Sequence, residues 1–244
     1  MSQPSAAILI IGDEILSGRT RDANMHYLAG QLTEAGIALK EARVVSDDET
    51  AIVDAVKTLS SRYDYLFTSG GIGPTHDDIT ADCIAKAFDR TIDVRADARD
   101  LLAAYYEKEG KEFNEARQRM ARIPEGATLI DNPVSVAPGF TLENTHVMAG
   151  VPSVFRAMVA SVLPGLTGGA PLQSVTQKLL KGEGDVAAPL SQLAQDYPTL
   201  SIGSYPFQQD GIYGTNIVLR GTDSKMLTDA KRKLKEIFGD AAHE

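Results

Sequence analysis

The sequence predicts an α/β domain in which helices cover a parallel sheet, followed by a small α+β unit. Three observations carry that expectation. Short β-rich apolar runs alternate with segments of helical periodicity. The first run, AAILIIG (6–12), reads as a strand buried on both faces. Polar clusters follow the first three predicted strands directly, as loops at one edge of a parallel sheet do.

The elements follow in order. After the first strand, Met25, Leu28 and Leu32 form one stripe of a helix over 23–35, which Gly36 stops. IALKEARVV (37–45) is the second strand, 50–61 the second helix and YDYLFTS (63–69) the third strand. Ile79, Cys83, Ile84, Ala87 and Phe88 recur at helical spacing, which starts a third helix inside the pair Asp77 and Asp78. Beyond Arg90 come two polar helices, over 97–109 and 114–122, then three short strands in ATLID, GFTLEN and THVMAG and a helix over 152–162. LPGLTGGAP (163–171) breaks the pattern and separates a domain at 1–166 from a subdomain at 171–244 with β-α-β-β-α order.

Composition limits the function classes. A chain of 244 residues, 43% hydrophobic and 23% charged, has the make-up of a folded protein. The net charge of −9 and the lack of a Lys/Arg run argue against a nucleic-acid face. The N-terminus has no basic leader and its apolar run is too short for a membrane span, so a cytoplasmic protein without a membrane partner is expected. The single cysteine, Cys83, lies on an apolar stripe and reads as a core residue. His26, His146 and His243 make no cluster, which leaves zinc without a ligand set.

The candidate site lies in the loops GDEILSG, SDDE, SGGIGPTHDD and AGVP. Ser69, Gly70, Gly71, Gly73, Pro74 and Thr75 form a loop whose bare backbone lets amides approach a phosphate. Gly12, Asp13 and Glu14 belong to the first cluster, and Gly150 and Pro152 to the last. Asp77 and Asp78, with Asp48 and Asp13, would repel a phosphate unless a hard divalent cation lay between them. The same aspartates equally suit a helix cap. Asn24 suits either a cap or a ligand contact, His76 a phosphate contact or solvent, and Arg19 and Arg21 a pyrophosphate or open water.

IGDEILSGRTRDAN, TSGGIGPTHDDIT, NPVSVAPGF and AGVP together resemble the molybdopterin-binding domain family of molybdenum-cofactor biosynthesis. The chain looks most like the N-terminal domain of the competence/damage-inducible protein A group and the molybdopterin-binding-like domain of FAD synthase, with LSIGSYP (200–206) extending the second likeness. The resemblance implies a three-layer α/β/α fold and a glycine loop that holds a phosphorylated nucleotide or pterin. It implies catalysis by Asp48 and Asp78, with Asp48, Asp77 and Asp78 at a divalent ion (Mg, Mn or Co) and a monovalent cation as a further candidate. The activity implied is hydrolysis of a nucleotide pyrophosphate such as ADP-ribose or FAD. The alternatives are adenylylation or insertion chemistry on molybdopterin, and a binding module without turnover. A homo-oligomer, dimer or trimer, is also expected. Ser135 and Val154 stand where many relatives have Gly and Glu, so the pocket edge departs from the family pattern.

Overall fold

The computed structural model describes residues 3–209 and 211–239, and His243 lies outside them. It divides into two compact units, Met1–Gly169 and Ala170–Glu244.

In the first unit β1 (Ser5–Ile11) runs into a four-residue helix, α1 (Asp13–Leu16), and then α2 (Asn24–Glu34). Next come β2 (Ala38–Val45), α3 (Glu49–Arg62), β3 (Tyr65–Ser69) and α4 (Thr80–Ala87). The excursion beyond α4 contains β4 (Ile92–Val94), α5 (Ala96–Lys108), α6 (Glu115–Gln118), a 3-10 turn at Arg119–Ala121 and β5 (Arg122–Pro124). The chain returns through β6 (Thr128–Ile130), β7 (Gly139–Leu142), β8 (Thr145–Met148) and α7 (Pro152–Val162).

The main sheet has the order β2-β1-β3-β8-β7-β6. The β1-β2, β1-β3 and β3-β8 pairs are parallel, and β7 and β6 are antiparallel additions at one edge. The pattern of β1 explains the layering, because successive side chains point to opposite faces. Ala7, Leu9 and Ile11 join Ile52, Val56 and Ile84 in one core. Ala6, Ile8 and Ile10 join Leu28, Leu32 and Phe155 in the other. Each fully buried Ile or Leu on this strand contributes about 1.5–3 kcal/mol by leaving water. A polar residue anywhere from Ala6 to Ile11 would therefore damage one of two cores.

Two expectations are corrected. The helix over 114–122 is a four-residue helix, a 3-10 turn and a strand, because Arg122–Pro124 pairs with Ile92–Val94 in a separate ribbon. The third helix starts at Thr80, beyond the aspartates, and its N-terminus has no side-chain cap. Asp78 instead turns back, and its Oδ2 accepts from the Thr75 amide at 2.8 Å and the Thr75 hydroxyl at 2.6 Å.

The second unit consists of β9 (Gln173–Leu179), α8 (Glu183–Asp196), β10 (Ser201–Gln209), β11 (Ile212–Gly221) and α9 (Ser224–Phe238). Its antiparallel sheet has the order β10-β11-β9, and Leu179, Ile217 and Leu219 pack with Leu190, Leu193 and Leu234 in its own core.

Candidate functional site

β1 has β2 on one side and β3 on the other, so the chain reverses its direction of growth across the sheet at β1 and β3. Ligands of open α/β sheets lie outside the carboxyl ends of strands at such a point. A cleft of about 560 Å³ is found there, lined by Gly12, Glu14, Asp47, Gly70 to Pro74, Asp77, Asp78 and Gly150, among others.

Neighbouring elements hold the loops in place. The Gly12 amide donates to Val45 and the Gly70 amide to Met148, which ties the ends of β1 and β3 to β2 and β8. Gly70 has φ 113°, and a side chain there would run into the Ile11 carbonyl, so only glycine fits. The first helical residue of α4, Thr80, donates its hydroxyl to the Gly70 carbonyl at 3.0 Å and its amide to the Gly71 carbonyl at 3.0 Å. These bonds engage the loop's carbonyls. The amides of Gly71, Ile72 and Gly73, by contrast, donate to no protein acceptor among the described residues. Consecutive unengaged amides form a concavity suited to an anion.

Charge in the cleft has the opposite character. Glu14, Asp47, Asp77 and Asp78 line it, and no Lys, Arg or His does so among the described residues. Among the described residues no group of three His, Cys, Asp or Glu side chains is close enough to hold a metal, so Asp48, Asp77 and Asp78 are not assembled as a cage.

Several expected residues have other positions. Asp48 is the N-cap of α3, with Oδ1 accepting from the Ala51 amide at 2.9 Å, and it is absent from the cleft lining. Its neighbour Asp47 lines the cleft, with Oδ2 accepting from the Asp13 amide at 2.9 Å. Asn24 neither caps α2 nor lines the cleft. Asp22 accepts from the Asn24 and Met25 amides, while the buried Asn24 Nδ2 donates to Ser69 Oγ and to the Gly150 carbonyl, both at 2.8 Å. Asn24 is thus a strut between the two loops that carry Gly70 and Gly150. The Asp13 amide, the Ser69 hydroxyl and the Thr75 amide and hydroxyl are engaged in hydrogen bonds, and these three residues are absent from the cleft lining, whereas Gly12, Glu14, Gly73, Pro74 and Pro152 face the cleft. His76 is 98% exposed, and Arg19 and Arg21 are exposed. Cys83 is buried, which pushes its thiol up to about 12 and leaves no thiolate at neutral pH. Ser135 and Val154 both line the cleft.

Asn132 was not singled out from the sequence. It is buried on the cleft wall, its Oδ1 accepts from the Val134 and Ser135 amides, and its Nδ2 donates to Ser135 Oγ and the Ala137 carbonyl. An Asn before Pro, folding the next turn with its own side chain, is the signal that could have identified it.

The sheet order and the position of the cleft define an α/β protein with an open cleft at the carboxyl edge of its parallel strands. Residues 7–168 match the family model described as "Probable molybdopterin binding domain", and residues 171–243 match that of "FAD synthase, middle domain". The chain belongs to the molybdopterin-binding domain family. A protein of Archaeoglobus fulgidus is 32% identical over 96% of this chain and 97% of its own length. A "CinA-like protein" of Citrifermentans bemidjiense is 38% identical over 71% of this chain and 44% of its own, and a "Probable FAD synthase" of Caenorhabditis briggsae is 30% identical over 96% and 49%. This chain therefore spans about half the length of those two relatives. A solved structure, described as the protein CinA with unknown function from Thermoplasma acidophilum, superposes with a TM-score of 0.61 at 31% identity, over 66% of this chain and 97% of that one. No helix among the described residues is long and apolar enough to cross a membrane.

Proposed function

We propose that the chain binds a nucleotide-type pyrophosphate such as ADP-ribose or FAD in the cleft and hydrolyses it with a divalent cation. The observation that carries this reading is the pairing of the free Gly71, Ile72 and Gly73 amides with four carboxylates on the same cleft. The relative named as a probable FAD synthase supports the FAD-type ligand.

Phosphate oxygens on that loop would repel Glu14, Asp47, Asp77 and Asp78 in a partly desolvated space. A hard cation relieves the repulsion, and such ions are commonly held by one or two carboxylates plus waters and ligand phosphates rather than by a protein cage. Asp47 and Asp78 fit this use. Each has one oxygen anchored by a neighbouring amide, and the other has no protein partner among the described residues. The ion would neutralise phosphate charge in the transition state. The glycine loop positions the pyrophosphate, and an ionised carboxylate takes a proton from the attacking water. The water oxygen bonds to one phosphorus, the bridging P–O bond breaks, and its electron pair leaves with the second phosphate.

Incubating pure protein with ADP-ribose, FAD or molybdopterin and each of Mg, Mn and Co tests the reading, with AMP as the product expected from the first two. Absence of AMP under every condition would refute it. A pterin ligand without turnover is the second reading, favoured by the exposed apolar side chain of Val151 on the cleft and of Val134 beside it. Saturable molybdopterin binding with no AMP from the nucleotides would establish that alternative.

A further inference from the structure

Arg119 stands on the 3-10 turn that precedes β5. Its side chain borders a small cavity of about 20 Å³, whose walls include Gly71, Ile72, Gly73 and Asp78. The same four residues line the main cleft, so the glycine loop is a shared wall. Arg119 is half-buried, and its one hydrogen bond is a long donation from Nη2 to the Asp78 carbonyl, 3.4 Å. Nε is fully buried without any partner, and no carboxylate lies within ion-pair distance among the described residues.

The neighbouring arginines differ. Arg122 is paired with Asp82, and Arg117 donates to the Glu112 carbonyl and lies over the Tyr106 ring. A guanidinium carries five donors, and holding one half-desolvated without an anion is costly. An unpaired cation beside three unengaged amides, in a chain of net charge −9, has a ready counterpart in a phosphate.

We propose that Arg119 is a phosphate-binding residue of the cleft, meeting the oxygens of a phosphate seated on Gly71 to Gly73. Around the loop it supplies the fixed positive charge that the cleft lining lacks. The inference rests on the proposed binding of a phosphorylated ligand there.

The test is calorimetric titration of wild type, Arg119→Gln and Arg119→Lys with inorganic pyrophosphate and with ADP-ribose, in Mg, at two salt concentrations. Arg119→Gln is expected to weaken both by about 10- to 100-fold and to flatten the salt dependence, as loss of a charged hydrogen bond does. Arg119→Lys should recover part of the affinity and keep the salt dependence. Equal affinity in Arg119→Gln and wild type would overturn the proposal, as would equal losses in both variants with unchanged salt dependence, which mark a packing role. If Arg119→Gln does not fold, the lysine variant decides by the same criteria. Pyrophosphate binding without ADP-ribose cleavage would remove the proposed activity and leave Arg119 tested by pyrophosphate. Failure of wild type to bind either ligand would remove both.

Discussion

Asp47 and Asp48, adjacent in sequence, serve different loops: Asp47 Oδ2 accepts from the Asp13 amide on the wall of the cleft, and Asp48 Oδ1 caps α3 through the Ala51 amide. Exchange of each for asparagine should therefore have unequal effects. Asp47→Asn keeps an oxygen for Asp13 but loses its charge, and should reduce metal-dependent ligand binding and turnover about tenfold or more. Asp48→Asn should leave both close to wild type, since asparagine caps a helix as well as aspartate does, while Asp48→Ala should lower stability by about 1 kcal/mol. Product assays and thermal melts on the three variants check this. The reverse order of effects would return the active role to Asp48.

Asn24 makes a second test, because it joins two loops without lining the cleft. Asn24→Ala leaves the buried Ser69 hydroxyl and the Gly150 carbonyl without their partner, a cost of about 1–3 kcal/mol. The melting temperature should fall by several degrees, and ligand affinity should fall with it as the two loops lose their register. Unchanged affinity in a destabilised variant would show that the strut serves the fold alone.

Val136 has φ 65°, a region that β-branched residues avoid, on the turn organised by Asn132. Replacement by glycine relieves that strain, partly offset by a more flexible unfolded chain. Val136→Gly is expected to raise stability by about 1 kcal/mol, read as a higher melting temperature. A lower one would mean that Val136 gains more from its packing than its backbone loses.

His146 supplies a pH dependence. It is buried on β8, its Nδ1 lies 2.9 Å from the Thr141 hydroxyl, its ring centroid is 5.0 Å from that of Phe67, and burial pushes its pKa down from 6.5 to about 4. The unfolded chain therefore binds the proton more readily than the folded one. The stability from the neutral ring is fully present above pH 6.5 and is lost as pH falls from 6.5 towards 4, by about 3 kcal/mol at most. Melts at pH 7.5 and pH 4.5 should show a smaller acid loss in His146→Gln than in wild type. Identical losses would assign acid sensitivity to the carboxylates alone.

The alternation of Ala6 to Ile11 and the stripe of Leu28 and Leu32 placed strands and helices without any tertiary information, since burial on a strand or helix obeys a local period. Glycine-rich loops after consecutive parallel strands were legible for the same reason, because right-handed crossovers place all such loops at one edge. Helix starts were less legible. A start placed one residue late, at Thr50 rather than Glu49, hid the capping role of Asp48 and the cleft position of Asp47. Asp48 has extended backbone ahead of the helix, where successive side chains point to opposite sides, so of two adjacent carboxylates one meets the cleft and the other a backbone amide. The strand Arg122–Pro124 was not legible, and a helix was expected up to Arg122, because its strand partner, Ile92–Val94, is remote in sequence and non-local pairing leaves no local period. Asn24, Asn132 and Arg119 acquire their roles from groups on other elements, among them Gly150, the Ala137 carbonyl and the Gly71–Gly73 loop. Local order in the chain determined the layers and the edge at which the cleft opens; the packing of distant elements alone decided which side chains face it.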